Sequence, residues 1–254
     1  MRYHVRRSRF DLYQSDGGLE AAVGEGEIPG SRNKLIEESY ELGGEGGDVD
    51  FMIARFVVGA RIKALRGDRS GAQERLDEGA RAAAALHLDR LRARIDNDLA
   101  LLQLPHPPAP ALTPNIDLEV DAVTATTALL DDDTAIRHIL THGSPEDTAR
   151  VLDRAQRWVA KLTGTRRRLA TLQATRLLVS CLAAVGRDEE AKTRLAGAVA
   201  ICAEQRMLRY LPDGGEDIEK MLDALHREQL SGSWAPTRPT VPESFLESIA
   251  RIER

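Results

Sequence analysis

Cysteine is scarce: Cys181 and Cys202 are the two in 254 residues, too few for a disulfide framework. They fall on successive predicted helices and read as two buried apolar thiols, which makes the cytoplasm the expected compartment. Aromatics make up 4% of the chain, so the core is expected to be built from Leu, Ala and Val. No apolar run reaches membrane-spanning length. Met1–Arg7 has no apolar segment behind it, so no signal peptide is expected. The net charge of −5 is mild and gives no support to a nucleic-acid-binding surface. Phosphate loops are missing too. The clusters Gly24–Gly30 and Gly43–Gly47 lack the Lys-Ser/Thr ending, and Gly164-Thr165-Arg166 is too short. No Ser, Cys, His or Asp arrangement sets a nucleophile beside its base. The chain is therefore not expected to be an enzyme, and no cofactor or catalytic residue is predicted.

What is abundant is Ala, Leu, Arg and Glu, a helix-forming mixture. The organising stretch is Val179–Leu195, a helix, a one-glycine turn at Gly186 and a second helix. Leu172, Val179, Leu182 and Ala183 share one face of the first. Ala191, Leu195, Ala198 and Cys202 share one face of the second. Gly186 suits the left-handed residue that ends a helix. Asp188, Glu189 and Glu190 then place negative charge at the positive end of the next helix. The stretch around Gly67 repeats this pattern: Ala64 falls on Ala183, Gly67 on Gly186, Ala72 on Ala191, Leu76 on Leu195 and Gly79 on Ala198. A weaker third copy starts at His142-Gly143-Ser144-Pro145. A lone hairpin cannot bury both faces, so copies are expected to stack. The predicted fold is all-α, with tetratricopeptide-like helical hairpins forming a curved superhelical stack.

Residues 1–30 read as an irregular or partly helical opening segment, with Tyr3, Phe10, Leu12 and Tyr13 as apolar points. The repeat domain spans 31–229. Within it, Ser31 caps a helix that the glycines at 43–47 stop. The next helix carries Phe51, Met52, Ile53, Phe56, Val57, Ala60 and Ala64. Leu88, Leu91, Ile95, Leu99 and Leu102 mark another. Leu104–Pro110 interrupts the array as an extended run. Residues 116–141 read as helical, with a break near Asp131-Asp132-Asp133. Residues 230–254 read as a Ser/Gly/Pro/Thr linker followed by a short terminal helix through Phe245, Ile249 and Ile252.

His138 and His142 stand one turn apart, a spacing used by zinc pairs. No third ligand is evident in the sequence, so they read as surface histidines and no metal is predicted. Arg166-Arg167-Arg168 reads as a solvated face. What remains is the inner surface of the stack, lined by the first helix of each pair. Phe51, Phe56, Trp158 and Tyr210 are the candidate apolar walls of a ligand site there, with Arg61 or Arg176 as polar anchor. For each of these residues the competing reading is core filler or a structural ion pair.

Three stretches resemble the tetratricopeptide-like region of large MalT-type, LuxR-family transcriptional regulators. They are Glu37–Gly43, the helix from about Asp50 to Asp68, and Leu91–Ile95. The block from Leu182 to Leu225 is similar too. The resemblance covers roughly residues 31–229. Such regulators carry an ATPase module, a helical-repeat sensor and a helix-turn-helix. This chain shows neither a phosphate loop nor a helix-turn-helix, so the resemblance implies the sensor segment alone. It implies that a small-molecule inducer, or a regulatory protein, binds here, and that DNA is reached through a module elsewhere. The alternative is an interaction scaffold whose concave groove takes a peptide or a regulatory protein. No membrane partner is expected, and homodimerisation is left open.

Overall fold

The computed structural model describes residues 49–119 and 121–252. The expectations for residues 1–48, including the Ser31-capped helix and Glu37–Gly43, lie outside them. Among the described residues every regular element is helical. The first rod is α1 (Val49–Ile53), a π-helical turn (Ala54–Val58) and α2 (Gly59–Leu65). Then come α3 (Arg69–Ala85), α4 (Asp89–Leu101), α5 (Ala122–His142), α6 (Pro145–Leu162), α7 (Arg168–Ala184) and α8 (Asp188–Glu204). A 3-10 turn (Pro212–Gly214) leads to α9 (Glu216–Leu230) and α10 (Glu243–Ile252).

The turns at Gly67 and Gly186 share one geometry. Both glycines are left-handed, at φ 79° and 72°. Gly67 N donates to Ala64 O and Asp68 N to Lys63 O. Likewise Gly186 N donates to Ala183 O and Arg187 N to Leu182 O. This double bond closes a helix by satisfying its last carbonyls. The same pair of bonds recurs after α3, α4 and α8, where His87, Gln103 and Arg206 take the left-handed position at φ 53°, 51° and 57°. The repeat is thus more regular in its backbone than in its glycines. The weaker third copy differs at its turn: Gly143 is extended, at φ −82°. It is small because an added Cβ would meet Ile139 O at 2.6 Å. Its Ser144–Asp147 capping box does form.

Packing sorts the helices into two rows. The first rod, α4, α5, α7 and α9 lie side by side in that order. Against this row pack α3, α6, α8 and α10. One position of the second row holds no helix. Between α3 and α6 runs the extended segment 103–119. Arg69 and Gln73 of α3 donate to its early carbonyls at Leu102, Gln103 and Pro105. Lys161 of α6 and Arg167 donate to its late ones at Ile116 and Leu118. Prolines 105, 107, 108, 110 and 114 forbid a helical ladder here. Side chains supply the hydrogen bonds that a helix would have made internally.

Two expectations are corrected. Residues 116–119 and 121 are not helical; α5 begins at Ala122, capped by Asp121, whose carboxylate accepts from Val123 N and Thr124 N. α5 also runs unbroken through Asp131-Asp132-Asp133, and the last two are fully buried. Three acids in a row are a poor helix interior by propensity. Tertiary partners outweigh that preference, as the site below shows.

The C-terminal stretch folds back. Val241, Phe245, Leu246 and Ile249 join the large apolar cluster that contains Leu195, Leu222 and Leu225. Arg238, between α9 and α10, is the clasp. Its guanidinium pairs with Glu228 of α9 and with Glu189 of α8 at 2.8 Å, over the Trp234 ring. Burial pushes the Glu228 carboxyl up, but hydrogen bonds from Lys192 and Arg238 outweigh it and hold it below its ordinary 4.5. A depressed carboxylate contributes stability that is complete above its ordinary value and is lost as pH falls through the lower folded value. Glu228→Gln is therefore expected to be less stable at neutral pH and to show a shallower loss below about pH 4.5. Urea denaturation at a series of pH values measures both.

Candidate functional site: buried charges along the first row

Helix faces that look toward a neighbour normally carry apolar groups. Here the stripe is interrupted by charge. On α4, Leu91 and Ile95 are followed at the same spacing by Asp98; all three are fully buried. On α5, Leu129 and Ile136 flank Asp132 and Asp133, and on α7, Leu172 and Val179 flank Arg176. Buried charge is tolerated only when paired and hydrogen-bonded, and the partners fall into two groups.

The first group ties the rows together. Asp132 accepts from Arg154 Nε and Trp158 Nε1 of α6, both at 2.6 Å. It also accepts from Thr113 N at 2.8 Å and Thr113 Oγ1 at 3.0 Å. Arg154 in turn donates to Thr113 Oγ1. This knot fastens the extended segment between α5 and α6, and Ile116, Leu129, Trp158 and Leu162 pack below it.

The second group lies along the first row. Arg61 of α2 donates to Asp98 of α4 at 2.5 Å. Asn97 donates to Thr134 of α5 at 3.3 Å. Asp133 accepts from Arg137 at 2.7 Å and from Gln173 of α7 at 3.2 Å. Arg176 of α7 donates to the carbonyl of Tyr210 at 3.0 Å, with that ring 5.3 Å from its guanidinium carbon. The turn after α8 closes over this row. Tyr210 donates its hydroxyl to Leu169 O, Arg209 pairs with Asp213 at 2.8 Å, and Asp213 reaches Arg61 at 3.7 Å. A residue of the first hairpin thus meets a turn more than a hundred positions away.

Arg61, Arg176 and Tyr210 are brought to this turn. Phe56 and Trp158 are not: they are 2% and 1% exposed and belong to separate apolar clusters. Phe56 packs at the seam where an added Cβ on Gly79 would meet its ring at 2.7 Å. Phe51 is half-buried on α1. Sequence reasoning missed Asp98, Asp133, Arg137 and Asp213. The signal for the first two was available, since each occupies a place in a three- and four-residue apolar stripe. The rings of His138 and His142 lie 4.8 Å apart, and His106 from the extended segment comes to 6.1 Å from His138. Among the described residues no group of three or more His, Cys, Asp or Glu is arranged to hold a metal ion. No helix among them is long and apolar enough to cross a membrane.

No family model matches the chain, and no solved structure matches it. Curated proteins do. Over 193 residues, 75% of this chain, it is 42% identical to the serine/threonine-protein kinase PknK of Mycobacterium tuberculosis. The same identity and coverage hold for PknK of Mycobacterium bovis. The chain spans 17% of the length of these relatives. A stretch covering three quarters of this chain has to include its middle, so the sequence of α4 to α7 is part of what is matched.

Proposed function

We propose that this chain is the helical-repeat sensing segment of a large signalling protein, one that binds an effector and relays that event to modules elsewhere. The observation that carries the reading is the convergence of the buried Arg61 and Arg176 with the half-buried Asp213 where the first hairpin meets the Tyr210–Gly214 turn. Apolar packing needs no such charges, and buried ion pairs are weak contributors to stability. A site whose charges shift partners when a ligand enters accounts for them.

The similarity to PknK supports placement in a large signalling protein. A protein kinase holds ATP with a Gly-rich loop and a strand-borne Lys, whereas the shared stretch contains the helices from α4 to α7. The segment corresponds on this reading to a non-catalytic, regulatory part and itself transforms nothing. The resemblance to MalT-type, LuxR-family regulators supports the same role, with DNA-binding and ATPase modules outside the chain. Relay then works by differential affinity for two arrangements of the stack.

A thermal-shift screen of sugars, nucleotides and organic acids against the purified chain tests this. A ligand present at a hundredfold above its dissociation constant stabilises the fold by about 3 kcal/mol. A second reading, a scaffold for a peptide, is favoured by the way the turn from Tyr210 to Asp213 lies along the row. A screen with no small-molecule shift, and stabilisation by a peptide instead, would select it.

A further inference from the structure

Arg176 is the unusual group of the row. It is 3% exposed, yet among the described residues no carboxylate lies within ion-pairing distance of it. Its partners are a backbone carbonyl and a ring face. Its Nε is buried with no acceptor, as is Nη2 of Arg137. Burial pushes the Arg176 guanidinium below its ordinary value, and the charges of Arg137 and Arg61 push the same way, against Tyr210 and the Asp133 carboxylate. Two guanidinium groups that repel each other, each with an unused buried donor, form an arrangement that a fold does not need for packing.

The turn above them sits close, with Leu211 anchored in the large apolar cluster. Gly214 lets the turn lie directly on the stem of Arg176, since a Cβ there would collide with its Cδ. At Gly215 a Cβ would lie 3.2 Å from Asp217 Oδ1 and 3.4 Å from Arg137 Nη1, and φ is +113°, a conformation open to glycine. Asp213 presents a carboxylate to Arg61 from 3.7 Å, too long for a direct hydrogen bond.

We propose that Arg176 and Arg137 form an oxyanion-binding site, occupied by a phosphate or carboxylate group of the effector, with the Tyr210–Gly215 turn as its cover and Asp213, held by Arg209 and facing Arg61, as the negative charge carried on that cover. Guanidinium forks suit such groups because they donate two parallel hydrogen bonds. Entry of the oxyanion replaces the Tyr210 carbonyl at Arg176 and repels Asp213, which loosens the turn from Arg61. The inference rests on the sensing reading above and names the chemistry of what is sensed.

Isothermal titration of the purified chain with inorganic phosphate, and separately with acetate, at ionic strength held constant with chloride, tests it. Saturable binding of at least one is expected. Arg137→Gln should weaken it at least tenfold. Asp213→Asn should tighten it several-fold, the opposite of what a merely structural carboxylate predicts. Hydrogen exchange at Leu211–Gly215 should quicken when the anion is bound. The absence of saturable binding to both the wild type and Asp213→Asn overturns the site, as does binding that Arg137→Gln leaves unchanged. If Arg137→Gln fails to fold, the sign of the Asp213→Asn effect decides. A neutral sugar or a peptide that stabilises the chain when neither anion binds would leave the sensing reading standing and remove this one; no ligand of any class would remove both.

Discussion

Asp132→Ala is expected to cost about 3–5 kcal/mol in urea denaturation, the range for breaking a buried ion pair by removing one partner. The carboxylate is fully buried and accepts from Arg154, Trp158 and Thr113 at once. Truncation strands a guanidinium that is itself 4% exposed. It also strands an indole N–H and a backbone N–H, each of which costs on the order of 1–3 kcal/mol when buried without a partner. The loss is not expected to be confined to α5, because Thr113 belongs to the extended segment and Trp158 to α6. Asp132→Asn keeps an acceptor and should cost roughly half as much. A loss below about 1 kcal/mol for the alanine variant would show that the knot is replaceable by water, and that something else holds the extended segment in place.

The second large effect concerns the repeat itself. Leu76 and Leu195 occupy equivalent positions after the Gly67 and Gly186 turns, and both are fully buried. Each change to alanine is expected to cost about 2–5 kcal/mol, the lost transfer energy plus that of the cavity left behind. They sit in different apolar clusters, so the double variant should be additive within about 0.5 kcal/mol. Costs that differ by more than about 2 kcal/mol, or strong coupling, would mean that the two hairpins are not structural equivalents. Circular dichroism during urea titration measures all three chains.

These two experiments probe different degrees of legibility. The Leu76–Leu195 equivalence was visible in the sequence, because a turn needing a left-handed residue and a seam needing small ones leave local marks. The interruption at Leu104–Pro110 was visible for the same reason, since proline acts on its own backbone. What the interruption does was not visible. That residues 103–119 stand in for a second-row helix follows from contacts made by Arg69, Gln73, Lys161 and Arg167, which are distant in sequence. The Asp131–Asp133 run was misread because local propensity argued for a break, while Arg92, Arg154 and Arg137 supply the opposite charge from outside the run or one turn along it. The site was half legible. Arg61, Arg176 and Tyr210 were named from size and position on first helices or beside them. Their acidic partners hid among the apolar stripes, and Phe56 and Trp158 share the aromatic signal while serving the core.

The missing helix of the second row has a mechanical consequence. No buried apolar cluster bridges α4 and α5. What spans that boundary includes the Asn97–Thr134 hydrogen bond and the Arg92–Asp131 pair, and the backbone beside it is a proline strap. The boundary between α4 and α5 is broad, since the two helices lie side by side, yet polar groups rather than an apolar cluster clamp it. A displacement of the last turn can reach the first hairpin through that clamp or directly from Asp213 to Arg61. The direct route is a single 3.7 Å contact, so the clamp is the stiffer path, and flexing between the two halves should begin when Arg92 or Asn97 is removed.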